Sequence, residues 1–295
     1  MIRGARIAAG RRHSLGVRED GTVIAAGPAD APETAVGDWR GIRAVAVGNV
    51  HTARNTGRSH SVGLRGDGTV VAAGWNADGQ CEVAGWRDIV EVAAGWRRTL
   101  GVRSDGTVVA VGRGEDGACE VQSWRDVLSV SAGDWHSVGL RADGTLVAVG
   151  NDERGQCAVD GWRGISAVSA GYLHTAAVTR AGTVCATGDR RCGVDDVTTW
   201  RDIVAVSAGS RHILGLDAGG GVWAAGDDSS GQCRVSSWRD VVAVSAGSCH
   251  SLGLRADGTV LATGCDDVGQ CAVSSWRLRG TGRGPNPRAW SGGCR

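Results

Sequence analysis

The chain has 295 residues, a net charge of +1, 42% hydrophobic residues and 49 glycines, and all 32 of its basic residues are arginine. A charge so near zero excludes a global field that would hold a polyanion such as DNA or an acidic membrane, and no apolar run approaches the roughly 20 residues needed to span a bilayer. The glycines, with only four prolines, one Tyr and no Phe, suit many short strands and tight turns; the lack of a Gly-X-Y period excludes collagen.

In chain order, the opening MIRGARIAAGRRHSLG has no apolar segment of signal-peptide type and already belongs to a repeated unit, so a cytoplasmic protein is expected. From His60 onward, His60, Arg98, His136, His174, His212 and His250 recur at intervals of 38, as do Trp86, Trp124, Trp162, Trp200, Trp238 and Trp276. His51 stands 38 after His13, whereas Trp39 to Trp86 is 47. A nine-residue insertion at residues 50–58 accounts for the offset. Seven repeats result, so residues 1–277 form one domain. Residues 278–295 are rich in Gly, Pro and Arg and are expected to be a disordered tail.

The best-formed copy, WRDVVAVSAGSCHSLGLRADGTVLATGCDDVGQC, predicts three strands: Val241 to Ala246, His250 to Arg255 and residues 259–263. Ala256-Asp257-Gly258 is the hairpin turn between the second and third. Apolar or small residues line both faces of these strands, so each sheet needs neighbours on both sides. An open solenoid would need polar end caps, but the first and last repeats are as apolar as the middle ones. The predicted fold is all-β, a closed seven-bladed β-propeller of 38-residue repeats with mostly three-stranded blades.

The pattern AG-x-x-H-S-x-G-L-R-x-D-G-T-V-x-A-x-G-x-x-x-x-G-Q resembles the regulator of chromosome condensation repeat in its short bacterial form. The architecture is similar to that of a seven-repeat bacterial β-lactamase inhibitor protein of that class. The resemblance implies a ring used for protein recognition. It carries over no enzymatic activity.

The residue types that suggest chemistry read as scaffold. The repeat histidines share one register, which argues for structural hydrogen bonds to backbone rather than catalysis. The Trp-Arg pairs sit on the links between blades, where Trp wedges between sheets and Asp88, Asp126, Asp202 and Asp240 are placed to pair with a rim arginine. Cys81, Cys119, Cys157, Cys233 and Cys271 share a GQC or GAC register. Neighbouring equivalents would lie about 9 Å apart, beyond disulfide reach, so buried reduced thiols are expected. Cys249 and Cys265 fall on loops of one blade. The acidic loops Asn151-Asp152-Glu153, Asp227-Asp228 and Asp266-Asp267 fit no calcium-loop pattern and read as a solvated rim. No metal or cofactor is expected, and no catalytic residue.

Strand direction divides the loops between two faces. The hairpins of the lower face are nearly uniform; the AG-x-x-H and G-x-x-x-x-G-Q loops of the upper face vary. Trp75, Trp96, Trp135 and Tyr172 lie in upper loops of consecutive blades two to five, with Arg97 and Arg58 nearby. These six residues form the candidate partner-binding site, because exposed Trp, Tyr and Arg are the usual anchors of protein interfaces. Trp96 and Trp135 are expected to be exposed, about 9–10 Å apart by the seven-fold spacing that also excludes disulfides. The expected function is a non-enzymatic, monomeric protein-interaction module that engages neither nucleic acid nor membrane. The alternatives are an exported inhibitor of a bacterial enzyme and a carbohydrate-binding propeller.

Overall fold

The computed structural model describes residues 5–49 and 59–278. The insertion, with His51 and Arg58, and residues 279–295 of the tail lie outside the described residues; Leu278, expected to begin the disordered tail, is instead buried in the core. Seven three-stranded antiparallel sheets follow one another in chain order. Blade one comprises Ile7–Ala9, Ser14–Val17 and Val23–Ala26; blade two, Ile42–Val47, His60–Arg65 and Val70–Gly74; blade three, Ile89–Gly95, Arg98–Arg103 and Val108–Gly112. Blade four comprises Val127–Ala132, His136–Arg141 and Leu146–Gly150; blade five, Ile165–Ala170, His174–Thr179 and Val184–Gly188. Blade six comprises Ile203–Ala208, His212–Asp217 and Val222–Gly226; blade seven, Val241–Ala246, His250–Arg255 and Val260–Gly264.

Blade seven meets blade one, which closes the ring. His250 Nε2 lies 2.9 Å from Ser14 Oγ, and the Ser248 N–H donates to the Gly10 carbonyl at 3.0 Å. Leu252, Leu254, Trp276 and Leu278 share an apolar cluster with Ile7 and Ala9. The other clusters straddle neighbouring blades in the same way, so burial stabilises the ring and not the single blade.

Two sequence features explain how closely the blades approach. Each inner strand leads to a glycine at the upper end. At Gly48, Gly95, Gly133, Gly171, Gly209 and Gly247 a Cβ would collide with the carbonyl oxygen of the next glycine around the ring. Six of the seven link tryptophans lie against a glycine of the middle strand, as Trp124 does against Gly139 and Trp276 against Gly16; in blade five Trp162 packs against a cluster that contains Ala177. The wedge expected of these tryptophans is observed.

The link aspartates play a different part from the one expected. Asp88, Asp126, Asp202 and Asp240 adopt φ of 57–59°, and Gly41 and Gly164 occupy the same left-handed position in other blades. Among the described residues none of the four pairs with an arginine. They are there because Asp tolerates positive φ better than most side chains. The link arginines instead donate to carbonyls of their own turn, as Arg125 Nη1 does to Gln122 and Trp124.

The histidine register forms an inter-blade relay. Nε2 of His13, His60, His136, His212 and His250 lies 2.8–2.9 Å from the hydroxyl of Ser61, Thr99, Thr175, Ser251 and Ser14 in the following blade. Each hydroxyl donates to a backbone carbonyl, Thr175 to Gln156 for example, so the imidazole must donate to the hydroxyl. The expected bond to backbone is thus made through a hydroxyl. Burial holds these imidazoles neutral, with pKa values pushed down to about 3 or 4.

Candidate functional site

The upper face is built where the loop after the outer strand meets the loop between the inner and middle strands. The Trp75 N–H donates to Ser59 O at 2.9 Å, Arg113 to Arg97 at 2.8 Å and Asn151 to Trp135 at 2.9 Å. This register brings three loops together along blades two to four. Arg97 sits with its guanidinium carbon 4.5 Å from the ring centroids of both Trp75 and Trp96. Arg113 lies 5.1 Å from Trp96 and 5.3 Å from Trp135. The result is a ladder of alternating tryptophan and arginine in which each cation faces the negative π-surface of two rings. Asp78 Oδ2 lies 3.7 Å from Arg97 Nη1 and offsets the charge of that rung.

The structure corrects the expectation for Trp96. It is only 6% exposed, and its ring centroid stands 4.5 Å from that of Trp135 in an edge-to-face contact. The seven-fold spacing applies to backbone positions, but large side chains lean across the gap. Blade three also turns more tightly than its neighbours: Gly95 pairs directly with Arg98, and Arg97 takes φ 62°. That turn drives Trp96 inward and sets Arg97 between the two rings.

Trp75, Arg97, Trp135 and Tyr172 remain partly exposed. The Tyr172 N–H donates to the Gly209 carbonyl at 3.3 Å, so its loop is fixed one blade further round. Arg58 lies outside the described residues. The site therefore consists of Trp75, Arg97, Trp135 and Tyr172 on the surface, with Trp96 as the packed brace beneath.

Sequence reasoning missed several neighbours. Arg113 occupies the same register as Trp75, and that register alone would have placed it beside Arg97. A groove of about 470 Å³ adjoins Trp75, lined by Arg12, Pro28, Pro32 and Glu33 among others. Its signal was the blade-one loop PADAPET, which departs from the GQC pattern. Asn49 of blade two crosses the channel mouth, its Oδ1 accepting from Ser248 Oγ at 2.8 Å and Ser210 Oγ at 3.4 Å. Burial, only partly offset by a backbone hydrogen bond and by Arg12, raises the Glu33 pKa.

The acidic loops hold their own turns: Asp152, Asp228 and Asp266 accept the N–H groups of Cys157, Cys233 and Cys271 at 2.7–2.8 Å. Among the described residues no group of His, Cys, Asp or Glu is arranged to hold a metal. The GQC-register cysteines are free thiols, half-buried and not fully buried as expected. Apolar exposure also occurs elsewhere. Val204 and Val242, 53% and 46% exposed, sit at bulges that begin the inner strands at the lower end. Trp223, 47% exposed, lies on the outer strand of blade six, its Nε1 donating to Asp217.

Comparison with known proteins agrees with this architecture. Human WBSCR16 superposes with a TM-score of 0.66 at 18% identity, covering 85% of this chain and 87% of that one. The CRINKLY WD40 ectodomain of the Arabidopsis thaliana receptor kinase ACR4 gives 0.62 at 19% identity, covering 75% and 84%. Prp20p from Saccharomyces cerevisiae gives 0.60 at 17%, covering 82% and 75%. No curated protein matches the chain in sequence. The profile of the regulator of chromosome condensation (RCC1) repeat matches residues 55–80, 89–118, 127–156, 203–232 and 241–270. With five matched copies in a seven-bladed ring, the chain belongs to the RCC1-repeat family.

Proposed function

We propose that this propeller is a non-enzymatic protein-binding module whose partner docks on the upper face, across the Trp75–Tyr172 arc and the groove beside Trp75. The observation that carries this reading is the tryptophan–arginine ladder. It presents aromatic surface already fixed in place, so that little side-chain freedom is lost on binding. The loops that bear it are also those the ring leaves free to vary. Prp20p, a protein of this fold, is described by its binding to Gsp1p and histones, which supports a protein as the partner class. The reading includes a cytoplasmic monomer. Native protein recovered outside the cell would favour an exported inhibitor, and glycan binding without protein capture would favour a carbohydrate-binding propeller.

The test is affinity capture from native extract with three baits: the wild type, Trp75→Ala/Trp135→Ala, and Val204→Asp/Val242→Asp. A partner lost with the tryptophan pair and kept with the valine pair supports the upper face. The reverse pattern moves the site to the lower channel mouth.

A further inference from the structure

The open end of blade seven carries two cysteines that the binding reading does not use. Cys249 precedes the middle strand and Cys265 follows the outer strand. The Cys265 N–H donates to the Cys249 carbonyl at 2.8 Å, which continues the ladder beyond the His250–Gly264 pair. Hydrogen-bonded antiparallel partners have Cα atoms about 5.5 Å apart, inside the roughly 4.4–6.8 Å range of disulfides. Cys265 Sγ donates to Asp267 Oδ2 at 3.2 Å, and Cys271 Sγ donates to the Cys265 carbonyl at 3.3 Å. Other blades put residues other than cysteine at this paired position, such as Arg97 with Arg113 and Trp135 with Asn151. The spacing that separates equivalent cysteines of different blades does not apply here, because both thiols belong to one sheet.

We propose that Cys249 and Cys265 are a redox-modification site, a dithiol that a small-molecule disulfide oxidises to a cross-strand disulfide. The Cys265 thiolate attacks one sulfur of the oxidant, its proton passing to Asp267 and on to water, and one small thiolate leaves. Cys249 then loses its proton and attacks Cys265 Sγ, forming the protein disulfide and expelling the second small thiolate. Two cysteine thiols are oxidised and one disulfide is reduced; the two released protons balance the two thiolates. Burial and the adjacent Cys265 thiol, followed by Asp267 and Cys271, push the Cys249 thiol up to about 12. Closure is therefore slow at neutral pH and faster in alkali. The bond staples the loop that carries Ser248, whose hydroxyl holds Asn49 across the channel mouth.

The experiment oxidises the reduced full-length protein with excess oxidised glutathione at pH 7 and pH 9, then maps disulfides by non-reducing peptide mass spectrometry. The expected result is a Cys249–Cys265 linked peptide that forms several-fold faster at pH 9 and is released by dithiothreitol. It should be absent from Cys249→Ser and Cys265→Ser and retained in Cys271→Ser. Recovery of Cys249 and Cys265 only as free or singly glutathionylated residues overturns the proposal. So does a link from Cys265 to Cys271 in the wild type.

Discussion

Arg98 Nη1 lies 3.8 Å from Asp116 Oδ2, and this guanidinium, fully buried, stands where every other blade has histidine. Arg98 reaches into blade four, donating to the carbonyls of Gly133 and His136 at 2.8 and 2.9 Å. In the same blade Ala118 stands where blades two, four, six and seven have glutamine. Blade three thus exchanges a neutral relay for a charged one, using three residues together.

Truncation at this position should be severe. Arg98→Ala strands Asp116 beside a cavity and is expected to cost about 3–5 kcal/mol, the usual penalty for breaking a buried pair. Arg98→His alone should recover part of that loss. Arg98→His with Ala118→Gln should recover more, since it restores the arrangement of the other blades. Denaturant melts of the three variants check the order, and equal losses in all three would refute the coupling.

The histidine relay predicts a steep acid limb in stability. The buried imidazoles have native pKa values near 3 or 4, whereas those of the unfolded chain lie near 6.5. Below pH 6.5 the unfolded state binds the additional protons, so stability falls as pH drops toward 4 and is fully present above 6.5. Six such groups, each contributing on the order of 1 kcal/mol per pH unit, should make the melting temperature drop sharply between pH 6.5 and 5. A flat profile over that interval would show that the imidazoles take up protons without unfolding.

The repeat registers made the ring legible, because seven copies of one pattern report on the same packing problem seven times. Exceptions to the register were harder to read. Nε2 of His174 has no hydrogen-bond partner among the described residues, because Ile213 stands where the other relays supply Ser or Thr. That change is visible in the sequence, but its meaning depends on knowing which residues face each other across a blade boundary. Trp96 was misplaced for a related reason. Its register is that of a variable loop, and only the tight Gly95–Arg98 turn sends the ring inward. Arg113, Pro28 and Glu33 went unnoticed since none belongs to the aromatic pattern.

The relay exception is itself testable. Ile213→Thr should give His174 a hydroxyl acceptor and bring its imidazole nitrogen resonances into line with those of His136 and His212. The gained hydrogen bond, about 1 kcal/mol, offsets part of the lost apolar burial. The variant should therefore lose no more than about 1–2 kcal/mol. Unchanged His174 resonances would mean that the introduced hydroxyl turns elsewhere.

Thiol chemistry should follow burial. Burial pushes Cys81 up to about 11 and Cys157, Cys233 and Cys271 up to about 12, and it raises Cys119 less. Since the thiolate is the reactive species, alkylation of these five at pH 8 should be at least tenfold slower than in the denatured chain. Timed labelling with peptide mapping decides it, and rapid labelling at Cys157 or Cys233 would contradict the burial argument.

The tryptophans should divide into scaffold and surface by location. Trp124 is nearly fully buried between blades three and four and packs over Gly139. Trp124→Ala removes a large ring from a closed interface and should cost about 3–5 kcal/mol. Trp96→Ala should behave like it, at about 3 kcal/mol, because the ring is buried and braces both Arg97 and Trp135. Trp75→Ala and Trp135→Ala leave partly exposed positions and should each cost under about 1 kcal/mol of stability. If the upper face binds a partner, those same two changes should each weaken the complex by about 2 kcal/mol or more. Calorimetric unfolding of the four single variants, beside binding to a captured partner, separates the classes. A stable, binding-competent Trp96→Ala would remove the brace from the site. Unfolding of Trp75→Ala or Trp135→Ala would place the whole ladder in the scaffold.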